Sequence, residues 1–448
     1  MSTKMSRRSF LKTAGIAAAG LTAGGLSFPT PIRALASHRR QGANMIQFWS
    51  QPYGDQVLYQ ELLANLATQF QEESGIGVTT ELINWSVAGQ TWLTVAQGGA
   101  HPDAADMYWL YSNAAIGGGQ YGPRAITELK EQYFPDLEER FFPNALLDVT
   151  WQGEFYGVPW RGDIRPLAYR TDIAAEVGIE RAPDTWDEIT EFAREMTLRD
   201  GTDVVRYGFA FGTAVPIQAL LPYYWSAGGR LMDAEGRTAT IDNEAMRETL
   251  RWMYDLIWTH RVVAPDFMEQ GYNPAEQFVA GSVAMMGSVV DTFPAGWERD
   301  FPDLQWALAI PPMGPDNRSA YSGAGYWGVL HGSQAVEESV QWIAFLSRDE
   351  NMQRLTEFIG RPSPLISVMN SAFWQDRPWK RVLVETLDYA VPSQQPSPVW
   401  TTLIAGSPGA VLYDMFYDAL VRQVDIDEAV ATAQARMQEE MDKVVTPS

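Results

Sequence analysis

The 448-residue sequence contains no cysteine and only four histidines, His38, His101, His260 and His331. Without cysteine there is no disulfide, no thiolate metal site, no covalently attached haem and no thiol nucleophile. No two histidines share a metal-ligand spacing such as HxxxH, so neither a metal nor another cofactor is expected. No cysteine is present to carry a lipid anchor. Lysine is scarce as well: beyond the first 36 residues only Lys130, Lys380 and Lys443 occur. A GxSxG elbow, the usual esterase signature, is missing. No later stretch approaches the ~20 apolar residues that a membrane-spanning helix needs.

What is present begins at the N-terminus. Ser6-Arg7-Arg8-Ser9-Phe10-Leu11-Lys12 has the pattern of a twin-arginine export signal. Ala14 to Phe28 follows as a short apolar region diluted by Gly and Thr, and Ala34-Leu35-Ala36 supplies a small-x-small cleavage site. Residues 1–36 are therefore expected to be a signal peptide and 37–44 a polar linker. The expected location is periplasmic, as a soluble protein. Removing the five signal bases leaves 28 basic against 55 acidic residues, a net charge of −27. Such a surface repels phosphates and excludes nucleic acid as a partner.

About 412 remaining residues exceed one ordinary core, so two domains are the default. Met45 to Trp49 reads as a strand. Leu58 to Glu73, with Leu58, Leu62, Leu66 and Phe70, predicts a helix stopped by Gly75. Val78 to Ile83 and Ala105 to Leu110 read as further strands, with the helix Trp92 to Gln97 between them. Thr185-Trp186-Asp187-Glu188 is a capping box opening a helix with Ile189, Phe192, Ala193 and Met196 on one face. This alternation predicts a mostly parallel α/β sheet.

Gly117-Gly118-Gly119-Gln120-Tyr121-Gly122 satisfies GxGxxG, but Pro123 follows where a dinucleotide turn opens a helix, so a loop is expected. Carboxylate pairs such as Glu298/Asp300 arise by chance in so acidic a chain, and no local motif marks an acid and a nucleophile. Aromatic residues at strand ends are more telling. Trp49 and Tyr53 close the first strand, and Trp109 ends the third beside Asp106. Trp160 and Arg161 follow Pro159, and Tyr326-Trp327 lies between glycines. In open α/β sheets ligands bind beyond the carboxyl ends of strands, where flat rings stack on sugar faces and charged groups bind hydroxyls.

Together these landmarks resemble the ABC-transporter extracellular solute-binding proteins of the carbohydrate-uptake type, the group containing maltose-binding proteins. The resemblance rests on Ile46-Gln47-Phe48-Trp49, Gly99-Ala100-His101-Pro102-Asp103, Gly153-Glu154-Phe155-Tyr156-Gly157-Val158-Pro159, and above all Pro183-Asp184-Thr185-Trp186-Asp187-Glu188. Trp225-Ser226-Ala227-Gly228-Gly229 and Phe278 to Met285 add to it. Two departures stand out: Arg170 replaces the family's usual Asn, and Arg361 precedes rather than follows its prolines. The resemblance implies a two-lobe α/β periplasmic-binding-protein fold (type II) with a ligand cleft between the lobes. Lobe 1 is expected over 45–159 and 289–347, and lobe 2 over 160–288 and 348–448. It further implies a monomeric, non-enzymatic protein that closes on a small carbohydrate and docks on an ABC permease. The expected cleft residues are Trp49, Tyr53, Asp106, Trp109, Trp160, Arg161, Tyr224, Trp225, Asp291, Tyr326 and Trp327. The alternatives are a binder of a non-sugar solute (a polyol, polyamine or phosphodiester) and an exported polysaccharide-processing enzyme.

Overall fold

The computed structural model describes residues 44–445, apart from 97–99, 109–121, 152, 213–215, 235, 270, 324, 393–402 and 404–407. The expected export signal, all but the last residue of the expected linker, Trp109 and most of the glycine loop lie outside these residues.

Met45–Ser50 alternates apolar side chains into the core and begins the chain's first sheet. Asp55 then caps the helix Gln56–Ser74, its carboxylate accepting from the Val57 and Leu58 amides, and Gly75 ends it at φ 73°, a conformation glycine adopts without Cβ strain. The buried face is Tyr59, Leu63, Leu66 and Phe70, whereas Leu58 is exposed. A strict four-residue spacing drifts about 40° per step on a 3.6-residue helix, so the expected Leu58–Leu62 end of the stripe rotates out of the core. The cap at Thr185 forms as expected: its hydroxyl accepts from the Glu188 amide, while Glu188 reaches back to the Asp184 amide and to Arg181.

Two five-stranded sheets organise the chain. The first has the order Gly77–Leu82, Met45–Ser50, Ala104–Tyr108, Gly325–Val329, Gly157–Arg161. Its early strands are parallel, and the late strand Gly325–Val329 inserts antiparallel to both neighbours. The second has the order Trp306–Ala309, Leu167–Arg170, Val283–Met286, Asp203–Ala210, Leu198–Asp200. The chain leaves the first sheet after Arg161 and enters the second at Leu167; it returns between Ser322 and Gly325.

These placements differ from the division expected from sequence. The strand Trp306–Ala309 pairs with Leu167–Arg170, so the stretch after Val289 stays with the second sheet rather than joining lobe 1. The helix Asp349–Ile359, assigned to lobe 2, packs on the first lobe: Phe358 stacks on Tyr59 at 5.8 Å and the preceding Arg348 pairs with Glu73 at 2.8 Å. Periodicity identifies an element, but it carries no information about which sheet completes its burial.

Candidate functional site

The passage between the sheets is where this chain buries its charges. Arg161, the last residue of its strand, is 2% exposed, and Asp106, two strands away in the same sheet, is fully buried. Arg161 Nε donates to the Tyr53 hydroxyl at 2.7 Å, and that hydroxyl donates to Asp106 Oδ2 at 2.8 Å. Trp160 Nε1 donates to Asp106 Oδ1 at 2.8 Å, so both carboxylate oxygens are held. Burial nevertheless raises the Asp106 carboxyl above its ordinary value, against the opposing pull of Arg161 and these hydrogen bonds. Gly325 allows the arrangement, because a Cβ there would come within 2.6 Å of Arg161 Cζ.

Trp160 and Trp327 stack face to face at 5.1 Å, with their planes 10° apart, and Tyr53 meets Trp160 edge-on at 5.5 Å. Both indoles are almost wholly buried. Rings expected to lie against a sugar lie here against each other.

A second set of charges adjoins the first. Asp163 pairs with Arg165 at 2.8 Å, and Arg165 also donates to Gln218 Oε1 at 3.0 Å. Arg361 lies 3.5 Å from Asp163 and 3.4 Å from Asp291. Asp291 Oδ2 accepts from the Ile164 amide at 3.3 Å, and burial pushes its carboxyl up to about 6, with Arg361 opposing the shift. Arg361 and Tyr53 also help to wall a groove of about 610 Å³, together with Thr292, Glu298, Phe358 and Trp379. This is within the size range of ligand sites, about 300–1,000 Å³.

The structure thus gathers Tyr53, Asp106, Trp160, Arg161 and Trp327 into one cluster and places Asp291 in the adjoining one. Tyr326, 1% exposed, sits beside Trp327 in the same strand, and Trp49 packs at the end of its strand against Trp92 at 6.3 Å. Tyr224 is committed elsewhere: its hydroxyl donates to the Arg230 carbonyl and receives Asn243 Nδ2 inside the second lobe's core. Trp225 belongs to the same core, and its carbonyl accepts from Asn317. Trp109 lies outside the described residues.

The expected cleft residues left out Asp163, Arg165, Gln218 and Arg361, the last noted only for its place ahead of its prolines. The first two did carry a signal: Arg161, Asp163 and Arg165 place a charge at every second position of the apolar passage Val158–Leu167, where a solvated loop would show no such alternation. Among the described residues, no group of three His, Asp or Glu side chains has a geometry suited to a metal ion.

This chain is 22% identical over 351 residues to the arabinooligosaccharide-binding protein of Halalkalibacterium halodurans, covering 75% of each. Its fold is similar to that of the sugar-binding protein MalE from Xanthomonas citri, with a TM-score of 0.76 at 18% identity, over 89% of this chain and 98% of that one. It is similar too to the cyclic alpha-maltosyl-1,6-maltose binding protein from Arthrobacter globiformis, with a TM-score of 0.74 at 16% identity, over 90% and 100% of the two chains. Two α/β lobes are thus a shared architecture. Residues 54–353 match the family described as bacterial extracellular solute-binding proteins, and the chain belongs to that family.

Proposed function

We propose that this protein is the sugar-capturing component of an ABC importer, holding a mono- or oligosaccharide between its two lobes and delivering it to a membrane permease. The observation that carries this reading is the groove beside the inter-lobe charge cluster: Tyr53 and Phe358 come from the first lobe, and Thr292, Glu298 and Trp379 from segments packed on the second. Family membership and the sugar ligands named for its relatives support it. Capture needs no chemical step, and the relatives are named as binding proteins, not enzymes.

In this reading ligand binding favours the closed arrangement of the lobes, which are 44–161 with 325–360 and 165–322 with the chain's last helices. Of the expected residues Tyr53 lines the groove, and Arg161 and Asp291 lie buried beside it, against Tyr53 and Arg361. The expected indoles Trp160 and Trp327 act as the rigid layer beneath. No helix among the described residues is long and apolar enough to cross a membrane. Twin-arginine export, a periplasmic location and a monomeric state complete the proposal.

Thermal unfolding against mono-, di- and trisaccharides, polyols and polyamines tests it. A sugar at 100 times its Kd should stabilise the native state by about 2.7 kcal/mol. The midpoint should then rise on the order of 5–10 °C. The sugar must be recovered unaltered. A rise with polyamines alone would replace the sugar by another solute, and a consumed sugar would make the protein an enzyme.

A further inference from the structure

Arg361 and Asp291 belong to different lobes. Arg361 follows the helix Asp349–Ile359, which packs on the first lobe, and the next residue's carbonyl accepts from the Gly162 amide. Asp291 lies in the loop between the second-sheet strand Val283–Met286 and the helix Phe293–Asp300. Their facing atoms, Arg361 Nη1 and Asp291 Oδ1, are 3.4 Å apart, and both are buried without a hydrogen bond. Such a distance is an ion contact, too long for a charge-assisted hydrogen bond of about 2.7–2.9 Å. A buried donor and a buried acceptor therefore face each other across the lobe boundary with their hydrogen-bonding capacity unused, a costly state unless a further group completes it.

The charges around this gap are balanced. At the passage three guanidiniums, Arg161, Arg165 and Arg361, stand against three carboxylates, Asp106, Asp163 and Asp291. Along the groove Glu298 pairs with Arg377, Arg299 with Asp300, and Lys380 with Asp376, while Glu357, on the first-lobe helix Asp349–Ile359, accepts from Gln353. A ligand carboxylate or ammonium entering here would add a buried charge with no free counterpart at the gap. A hydroxyl pair would not, because hydroxyls both donate and accept.

Resting on the sugar-capture reading, we propose that Arg361 and Asp291 are the specificity-determining pair of this site. They part when the lobes open, take neighbouring hydroxyls of an uncharged sugar between them, and select against uronates and amino sugars. Arg361 donates to one hydroxyl oxygen and Asp291 accepts from the adjacent hydroxyl. The hydrogen-bonding capacity that Arg361 Nη1 and Asp291 Oδ1 leave unused between themselves is what holds the ligand.

The test is calorimetric titration of the purified full chain. Neutral probes are glucose, galactose, maltose, maltotriose, lactose and arabinotriose; charged probes are glucuronate, galacturonate, glucosamine and galactosamine. The expected result is binding of at least one neutral probe, with every charged probe weaker by about tenfold or more. Arg361→Gln should weaken the best neutral probe by about tenfold or more, with the unfolding midpoint recorded for the same sample. A charged probe within threefold of the best neutral one overturns the proposal and leaves sugar capture standing. Unchanged affinity in folded Arg361→Gln overturns the role of the pair. Silence from all ten probes overturns the capture reading itself. The comparison among probes needs no variant, so it decides the selectivity even if Arg361→Gln does not fold.

Discussion

The indole of Trp327 lies flat against that of Trp160 and is only 2% exposed, and its strand lies inside the first sheet, between Ala104–Tyr108 and Gly157–Arg161. Truncating it to alanine removes a large buried side chain from between rigid neighbours, which costs about 3–5 kcal/mol. Loss of the aromatic pair contributes about 0.5–1.5 kcal/mol beyond the area term. Taking about 4 kcal/mol and a lobe of ordinary domain size, the midpoint of Trp327→Ala should fall by about 8–16 °C. Trp327→Phe, which keeps a ring against Trp160, should lose less than half of that. Thermal and urea unfolding give the stability, and calorimetric titration of the folded fraction with the best sugar gives the affinity. The reasoning predicts a large loss of stability and a change in affinity of less than about threefold, since the ring supports the site from beneath. A variant with an unaltered midpoint and tenfold weaker binding would refute it, and would mean that Trp327 meets the sugar directly.

Three further outcomes follow from the same geometry. Gly325→Ala sets a Cβ within 2.6 Å of Arg161 Cζ and should destabilise by about 1–3 kcal/mol, read as a lower urea midpoint with unchanged slope. Asp106→Asn leaves the buried Arg161 without the carboxylate that it reaches through the Tyr53 hydroxyl and should cost about 3–5 kcal/mol; adding Arg161→Met should recover part of it, which a double-mutant cycle would measure. Asp148 is a lone case: burial alone pushes its carboxyl up to about 8, and its Oδ2 is buried without a hydrogen bond. The unfolded chain ionises near 3.9, so the folded state binds this proton more tightly, and the group's contribution is full below pH ~4 and lost as pH rises through 8. Asp148→Asn and the wild type should therefore have similar midpoints near pH 4, with the variant the more stable at pH 9.

Local chemistry was legible where a single element decides the outcome. Thr185 and Gly75 bound their helices as read because capping groups act within one turn, whereas the Asp55 cap, three residues before the expected start at Leu58, went unread. The gathering of Tyr53, Asp106, Trp160, Arg161 and Trp327 could be anticipated from strand ends, since strand ends in one sheet share an edge. What the rings do there could not: whether an indole faces a ligand or another indole depends on strands far apart in sequence, Gly157–Arg161 and Gly325–Val329. The same limit misassigned Trp306–Ala309, whose apolar pattern suits the burial of either sheet. Arg361 was read only as a residue standing ahead of its prolines, because its significance lies in Asp163 and Asp291, which only the folded chain brings beside it.

The position of Gly325–Val329 between Ala104–Tyr108 and Gly157–Arg161 sets a timetable for synthesis. The edge of Ala104–Tyr108 waits for a partner that emerges about 220 residues later, a delay of roughly 10–40 s at ordinary rates of elongation. During that time the nascent chain presents an unpaired strand flanked by apolar sequence, the kind of edge that invites pairing between molecules. A fragment ending before residue 325 would carry this exposed edge permanently. Neither lobe can then be produced as a contiguous piece of the gene product. The chain must be finished before its first half is a folded object, and whatever shields nascent strands in the cell must act on this one throughout.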